Sequence, residues 1–155
     1  MKRSNDTPLP EMAPATNASV SKTQTQRLLV VDDDENNRDL ISRRFRRAGY
    51  LVHAVSNGQE ALRSIESDLP DLVLADLMMP RMSGLELLKA LRAKYTPWEL
   101  PVVMVSALNE SNQIVIALAF GANDYITKPI DFAVAIARIR TQLLRKEADE
   151  SSVES

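Results

Sequence analysis

A short apolar run that ends in a single acid narrows the fold of this chain more than any other feature. Leu72, Val73, Leu74 and Ala75 are followed at once by Asp76, and Pro80 and Gly84 then break the chain before a helical pattern resumes at Leu85. That order reads as a buried strand, an acid at its carboxyl end, a loop and a helix. In open α/β sheets the ligand crevice lies outside the carboxyl ends of the strands. Asp76 therefore falls where such folds place their chemistry, and the question for every other segment is what it delivers there.

The same grammar repeats along the chain. Leu28, Leu29, Val30 and Val31 run into Asp32, Asp33 and Asp34. A four-residue apolar run bounded by charge suits a central parallel strand buried on both faces. Leu40, Ile41, Phe45 and Ala48 then recur at helical spacing, with Asp34 as a cap and Gly49 as a stop. Residues 50–55 read as a second strand near an edge, and His53, the one histidine of the chain, is given no role. Asn57 and Glu60 open a second helix with Ala61, Leu62 and Ile65 inside; Ser83 and Glu86 open a third with Leu85, Leu88 and Leu91 inside. Residues 102–105 form a fourth strand ending in Ser106. A helix over about 109–120 follows, closed by Gly121. Residues 124–127 form a fifth strand ending in Lys128 and Pro129. A last helix over 131–146 carries Ile136, Ala137, Ile139, Leu143 and Leu144. Alternating strands and helices imply a parallel sheet covered on both faces. The strand order does not follow from the pattern. If it is 2-1-3-4-5, one of the two common doubly wound orders, the acidic ends of strands one and three meet at the switch point.

Composition removes several function classes. The formal charge of −2 over 155 residues gives no field that would draw nucleic acid. The chain has no cysteine, which excludes disulfides and thiolate metal sites and fits a reducing compartment. Lys2 and Arg3 have no apolar run behind them, so no secretory signal is expected, and no stretch approaches the ~20 apolar residues that span a bilayer. The expectation is a cytoplasmic protein without direct nucleic-acid or membrane contact. Residues 1–26 are rich in Pro, Ser, Thr, Asn and Gln and are expected to be a disordered leader. Residues 27–146 are expected to form the domain, and 147–155 a polar acidic tail or the start of a linker.

Four strand ends now supply Asp32 and Asp33, Asp76, Ser106 and Lys128. Carboxylates crowded into one cleft repel each other, by about 4 kcal/mol per pair at ~4 Å and an effective dielectric of ~20. A divalent cation removes that penalty, and an all-oxygen donor set without His or Cys points to Mg²⁺. A cation, an ammonium and a hydroxyl around a carboxylate would suit a phosphoryl group, with Asp76 attacking in line.

Residues 27–146 resemble a response-regulator receiver domain of two-component signalling, chemotaxis-regulator-like. The matching motifs are Val30-Val31-Asp32-Asp33, Asp76 through Pro80 to Gly84, Ser106-Ala107, and Gly121 through Tyr125 to Lys128-Pro129. The resemblance implies a flavodoxin-like (βα)5 sandwich with its five-stranded parallel sheet in the order 2-1-3-4-5. It implies that Asp76 is phosphorylated by a histidine kinase or histidine phosphotransfer protein. It also implies that Mg²⁺ is bound by Asp33, Asp76 and the Met78 backbone carbonyl, with Asp32 acting through water. Ser106 would turn to the phosphoryl group, Lys128 would pair with it, and Lys128-Pro129 would be cis. Tyr125 would be the aromatic switch, swinging inward to alter the surface of the fourth helix, fifth strand and fifth helix. That surface is also where a homodimer, an output domain or a target protein would bind. Met78 and Leu108 flank the path of water to the acyl phosphate in this family. Both are apolar here, and slow self-dephosphorylation is expected. The implied role is a signalling phosphoacceptor and not an enzyme in the usual sense.

Two other readings are kept in view. One is an interaction module of the same fold that signals without phosphate, although every family position is filled. The other is a phosphatase with Asp76 as nucleophile, akin to the haloacid dehalogenases. That group carries its nucleophile in an early Asp-x-Asp arrangement, whereas here the acids are Asp32-Asp33-Asp34 and the Asp76 loop is of receiver type.

Overall fold

A computed structural model gives the structure of the chain, and it describes residues 26–154. Five strands alternate with five helices: β1 (Arg27–Val31), α1 (Glu35–Arg47), β2 (Leu51–Val55), α2 (Gly58–Ser67), β3 (Leu72–Asp76), α3 (Gly84–Arg92), β4 (Val102–Ser106), α4 (Ser111–Ala119), β5 (Asp124–Thr127) and α5 (Phe132–Glu154). A 3₁₀ turn, Leu108–Glu110, precedes α4. All strand pairings are parallel, in the order β2-β1-β3-β4-β5. This is the flavodoxin-like doubly wound sandwich, with β2 at an edge as its mixed composition suggested.

Period-two alternation along the strands divides the core in two. Leu29, Val31, Val73, Ala75, Val102 and Met104 face α2, α3 and α4. Leu28, Val30, Leu72, Leu74, Val103 and Val105 face α1 and α5, where Phe45 packs against Phe132 and Tyr50. Strands β3 and β4 are buried at every position, which is why they read as unbroken apolar runs. Each fully buried Leu, Ile or Val contributes about 1.5–3 kcal/mol by leaving water.

Local signals set the helix starts. Asp34 caps α1 by accepting from the Asn37 N–H at 3.1 Å. Asn57 caps α2, while Glu60 reaches back one residue further, to the amide and hydroxyl of Ser56. Ser83 and Glu86 form a reciprocal capping box on α3. Gly49, at φ +105°, ends α1 in a backbone conformation that costs glycine nothing.

Several expectations need correction. On α3 the buried face is Leu87, Leu88 and Leu91, with Leu85 only half-buried. Spacings of three and four residues both fit a helix, and tertiary packing chose the second stripe. Leu40 is exposed, because it lies on the rim of a groove beside Asp32 and Lys128. On α5 the core residues are Phe132, Ala135, Ile139, Gln142 and Leu143, whereas Ala137 and Leu144 face solvent. That helix begins after Asp131, whose carboxylate accepts from the Ala133 and Val134 N–H groups. It continues to Glu154, past the expected end at Lys146. Residues 147–154 are polar, yet Glu, Ala and Asp without Gly or Pro do not stop a helix, and Lys146 pairs with Glu150 one turn on. The expected leader, apart from Gln26, lies outside the described residues.

Candidate functional site

The sheet's backbone ladder places the polar strand ends side by side. Asp76 is in register with Val105, and Ser106 with Thr127. The ladder runs one step beyond the strands, with the Leu77 N–H on Val105 O and the Lys128 N–H on Ser106 O, each at 2.8 Å. At the other side, the Asp32 N–H donates to Val55 O. Side chains from β1, β3, β4 and β5 are thereby set along one edge by hydrogen bonds that involve none of them.

The loop after β3 depends on Gly84. Its N–H donates to Leu77 O at 2.8 Å, and a Cβ there would collide with the carbonyl oxygen of Asp76, Cα of Leu77 and the methyl of Met104. No other residue allows α3 to start this close to the Asp76 backbone. Arg81, in the same loop, takes the left-handed conformation at φ 68°.

Carboxylate oxygens of Asp32, Asp33 and Asp76 lie within 4.8 Å of one another. Asp32 and Asp76 are almost fully buried, at 2% and 5% exposure, while Asp33 is exposed. One oxygen of Asp32 accepts from the Asp34 N–H at 2.9 Å. One oxygen of Asp76 accepts from the Met78 N–H at 3.3 Å, and the other from Lys128 Nζ at 3.1 Å. Burial raises the Asp76 carboxyl above the ordinary range, although the Lys128 hydrogen bond and charge pull the other way. Burial likewise raises Asp32, against the hydrogen bond from Asp34, with the Asp76 charge adding to the rise. Burial alone would lower the Lys128 ammonium, but its hydrogen bond to Asp76 and the fields of Asp76, Asp32 and Glu110 outweigh it and leave it raised. One ammonium thus faces three acids. The donor set is all oxygen and carries excess negative charge, which fits a small hard dication such as Mg²⁺.

Ser106 is buried, and its Oγ has no hydrogen-bond partner. An orphan hydroxyl in such a place costs free energy unless something comes to meet it. Tyr125 stands away from the acids. It is in register with Met104, is 36% exposed, and has the Arg138 guanidinium 6.0 Å from its ring centre. Arg138 also pairs with Asp124 at 2.9 Å. Met78 and Leu108 are both well exposed. Lys128-Pro129 is cis, as expected.

Of the expected site residues, Asp32, Asp33, Asp76 and Lys128 form one cluster. Ser106 lies at the neighbouring strand end, and Tyr125 points outward. Two participants were not read from the sequence. Glu110 accepts from the Ala107 N–H at 2.7 Å; an acid three residues past an alanine lacks the Ser or Thr that marks a capping box. Arg138 holds the tyrosine's surroundings, and an arginine on a helix gives no such signal. Beside the acids, a groove of about 240 Å³ is lined by Asp32, Asn37, Leu40, Ile41, Lys128 and Ile130, with Pro129 and Phe132 behind.

This geometry agrees with what the chain resembles. The model of the response regulator receiver domain matches residues 28–140. The response regulator MprA of Mycolicibacterium vanbaalenii is 40% identical over 129 residues, covering 83% of this chain and 55% of the relative. The alkaline phosphatase synthesis transcriptional regulatory protein PhoP of Bacillus subtilis is 37% identical, covering 83% and 53%. The chain spans about half the length of these curated relatives. Among solved structures, the receiver domain of NtrX from Brucella abortus superposes with a TM-score of 0.71 at 31% identity, over 75% of this chain and 97% of that one. The receiver domain of the Francisella response regulator 1452 gives 0.71 at 32%, over 78% and 98%.

Proposed function

The chain belongs to the response regulator receiver domain family of two-component signalling, and on that premise we propose that Asp76 accepts a phosphoryl group from a phosphohistidine. The observation that supports this most is the Asp76 carboxylate itself. It is nearly buried, touches Lys128 at 3.1 Å, and lies within 4.8 Å of two further acids.

An oxygen of Asp76 attacks phosphorus in line as the P–N bond of the donor breaks, and the electron pair of that bond returns to the imidazole nitrogen. The donor is a histidine kinase or a histidine phosphotransfer protein, which would contact the apolar groove beside Asp32 and Lys128. Asp33, Asp76 and the Met78 backbone carbonyl would hold Mg²⁺, with Asp32 acting through water. When bound, the ion supplies positive charge to the phosphoryl oxygens. Lys128 moves its ammonium from the carboxylate to the new phosphoryl group, and the orphan hydroxyl of Ser106 supplies a further donor.

Once Ser106 is drawn toward the phosphoryl group, Tyr125 leaves its exposed position and packs inward. The surface of α4, β5 and α5 then changes. On α4 this surface is apolar, because Ile114 and Ala117 face the core while Val115 and Leu118 are exposed. Phosphate selects one conformer by its differential contacts, and a homodimer, an output domain or a target protein reads the result. The domain acts in the cytoplasm and makes no direct contact with nucleic acid. Among the described residues, no helix is long and apolar enough to cross a membrane.

The test is phosphorylation by acetyl phosphate with Mg²⁺, followed by intact-mass spectrometry on wild type and Asp76→Asn. The wild type gains one phosphoryl group and the variant none. A wild type that stays unmodified would leave the same fold working as an interaction module.

A further inference from the structure

Glu110 occupies a backbone donor at the end of β4, on the side of that strand that faces β3: Val105 pairs with Asp76 and bonds Leu77, and Ala107 lies two residues further on. Glu110 Oε1 accepts from the Ala107 N–H at 2.7 Å, a short charge-assisted hydrogen bond. Ala107 directly follows Ser106, whose carbonyl is bonded to the Lys128 N–H. The Glu110 charge also acts on the Lys128 ammonium, which is hydrogen-bonded to Asp76. Only half of a capping box is made, since alanine has no side-chain oxygen to return the bond. The first turn of α4 has no side-chain cap of its own. The Glu110–Ala107 contact is therefore the side-chain bond that ties the 3₁₀ turn to the end of β4. Beside it sits the unpartnered Ser106 hydroxyl.

We propose that Glu110 is a resident anion that holds the Ala107 N–H in the unmodified protein and is expelled when Asp76 carries a phosphoryl group, releasing the turn that leads into α4. The proposal rests on Asp76 being the phosphoacceptor. One N–H cannot serve two anions at full strength, and like charges brought together in a partly buried site repel strongly. The incoming group brings at least one more negative charge, and it is tethered covalently whereas Glu110 is held by a hydrogen bond. Expulsion frees the Ala107 N–H for the phosphoryl oxygens next to the Ser106 hydroxyl. It also removes a side-chain tie over Leu108–Glu110. Glu110 is thus a positioning residue that opposes acceptance of phosphate and couples it to the start of α4.

The experiment is an amide NMR titration with beryllofluoride in Mg²⁺, a stable mimic of the acyl phosphate. It compares wild type, Glu110→Gln, Glu110→Ala, Asp76→Asn and the distant Glu66→Ala. In the wild type, the Ala107 amide resonance should move on binding toward its position in free Glu110→Ala. Glu110→Ala should bind about tenfold more tightly than wild type, because the competing charge-assisted bond is gone. Glu110→Gln, which keeps an acceptor without the charge, should fall between them, and Glu66→Ala should match wild type. Dispersed, native-like β1 and β2 resonances establish that each variant is folded. Equal affinity in wild type and both Glu110 variants would overturn the proposal. So would an equal gain in the Gln and Ala variants, which would make Glu110 a matter of charge alone. If the wild type binds no better than Asp76→Asn, the phosphoacceptor reading itself is overturned, and the proposal with it.

Discussion

Lys128 Nζ and Asp76 Oδ2 are 3.1 Å apart across 52 residues of sequence, joining the end of β5 to the end of β3. The lysine is one-third open to solvent, whereas the aspartate side chain is 6% exposed. Removing the cation leaves a carboxylate that water can barely reach. Lys128→Ala should therefore lower the stability of the metal-free protein by about 1–3 kcal/mol, the usual cost of an unsatisfied buried group. Adding Asp76→Asn should restore most of that loss, so a double-mutant cycle in urea should show clear coupling. Additive losses would mean that the pair is not held in solution.

Asp32 gives a prediction about pH. Burial, against the Asp34 hydrogen bond, raises its carboxyl above the ordinary range, so the folded protein binds this proton more tightly than the unfolded chain does. The stability that this proton provides is fully present below the unfolded pKa and is lost as pH rises through the folded one. At neutral pH without metal, Asp32 is a destabilising charge. Asp32→Asn should raise the thermal midpoint at pH 7 in EDTA, and the gain should shrink toward pH 4. Saturating Mg²⁺ should cancel or reverse it. A gain independent of both pH and Mg²⁺ would contradict this.

Gly84 supports the site from behind. A methyl group there meets the Asp76 carbonyl, Leu77 Cα and Met104, the first two backbone and the third fully buried. Gly84→Ala should cost about 2–3 kcal/mol by overpacking. It should also weaken Mg²⁺ binding, because the strain falls on Asp76 itself. Denaturant melts and a Mg²⁺ titration read the two effects separately.

Met78 and Leu108 offer no group to orient an attacking water, and both are well exposed beside the site. A Met78→Asn, Leu108→Glu double variant should lose its phosphoryl group faster than wild type. Phosphoprotein decay followed by intact mass checks this, and unchanged or slower decay would mean that solvent access is set elsewhere.

Arg92 is a structural node. Its guanidinium donates to the carbonyls of Gly121, Tyr95 and Leu100 and to Asn123 Oδ1. Burial lowers its pKa to about 10, so it stays protonated at neutral pH. Arg92→Leu should destabilise the fold by about 2–4 kcal/mol, through several part-buried acceptors left unpaired at once. A loss within 0.5 kcal/mol in urea would show that water replaces these bonds.

Arg92 also marks where the sequence stops being legible. In the last turn of a helix, an arginine reads as a partner for the helix dipole, and the carbonyls it serves come from distant segments. Glu110 is hidden for the same reason, since its partner is a backbone amide beside an alanine. Asp32, Asp76 and Ser106 were readable because each ends an apolar run, and Lys128 because it follows a short strand, and parallel pairing aligns such ends without help from side chains. The strand order required the resemblance, because apolar periodicity carries no information about neighbours. Leu85 and Leu87 show a similar limit, as Leu85 lies three residues before Leu88 and Leu87 four before Leu91, and both spacings are helical.

The long final helix has a mechanical consequence. At 1.5 Å per residue, the 23 residues of α5 reach about 34 Å, and Arg138, the neighbour of Tyr125, sits in the second turn. Gln26, at the entry to β1, grips it much farther along, through Glu147. A tilt of about 5° pivoting near Arg138 would carry the far end through roughly 2 Å, given that rise. An aromatic ring moving by its own width could thus be felt at the other end of the rod, with the Gln26 tether setting how far it travels.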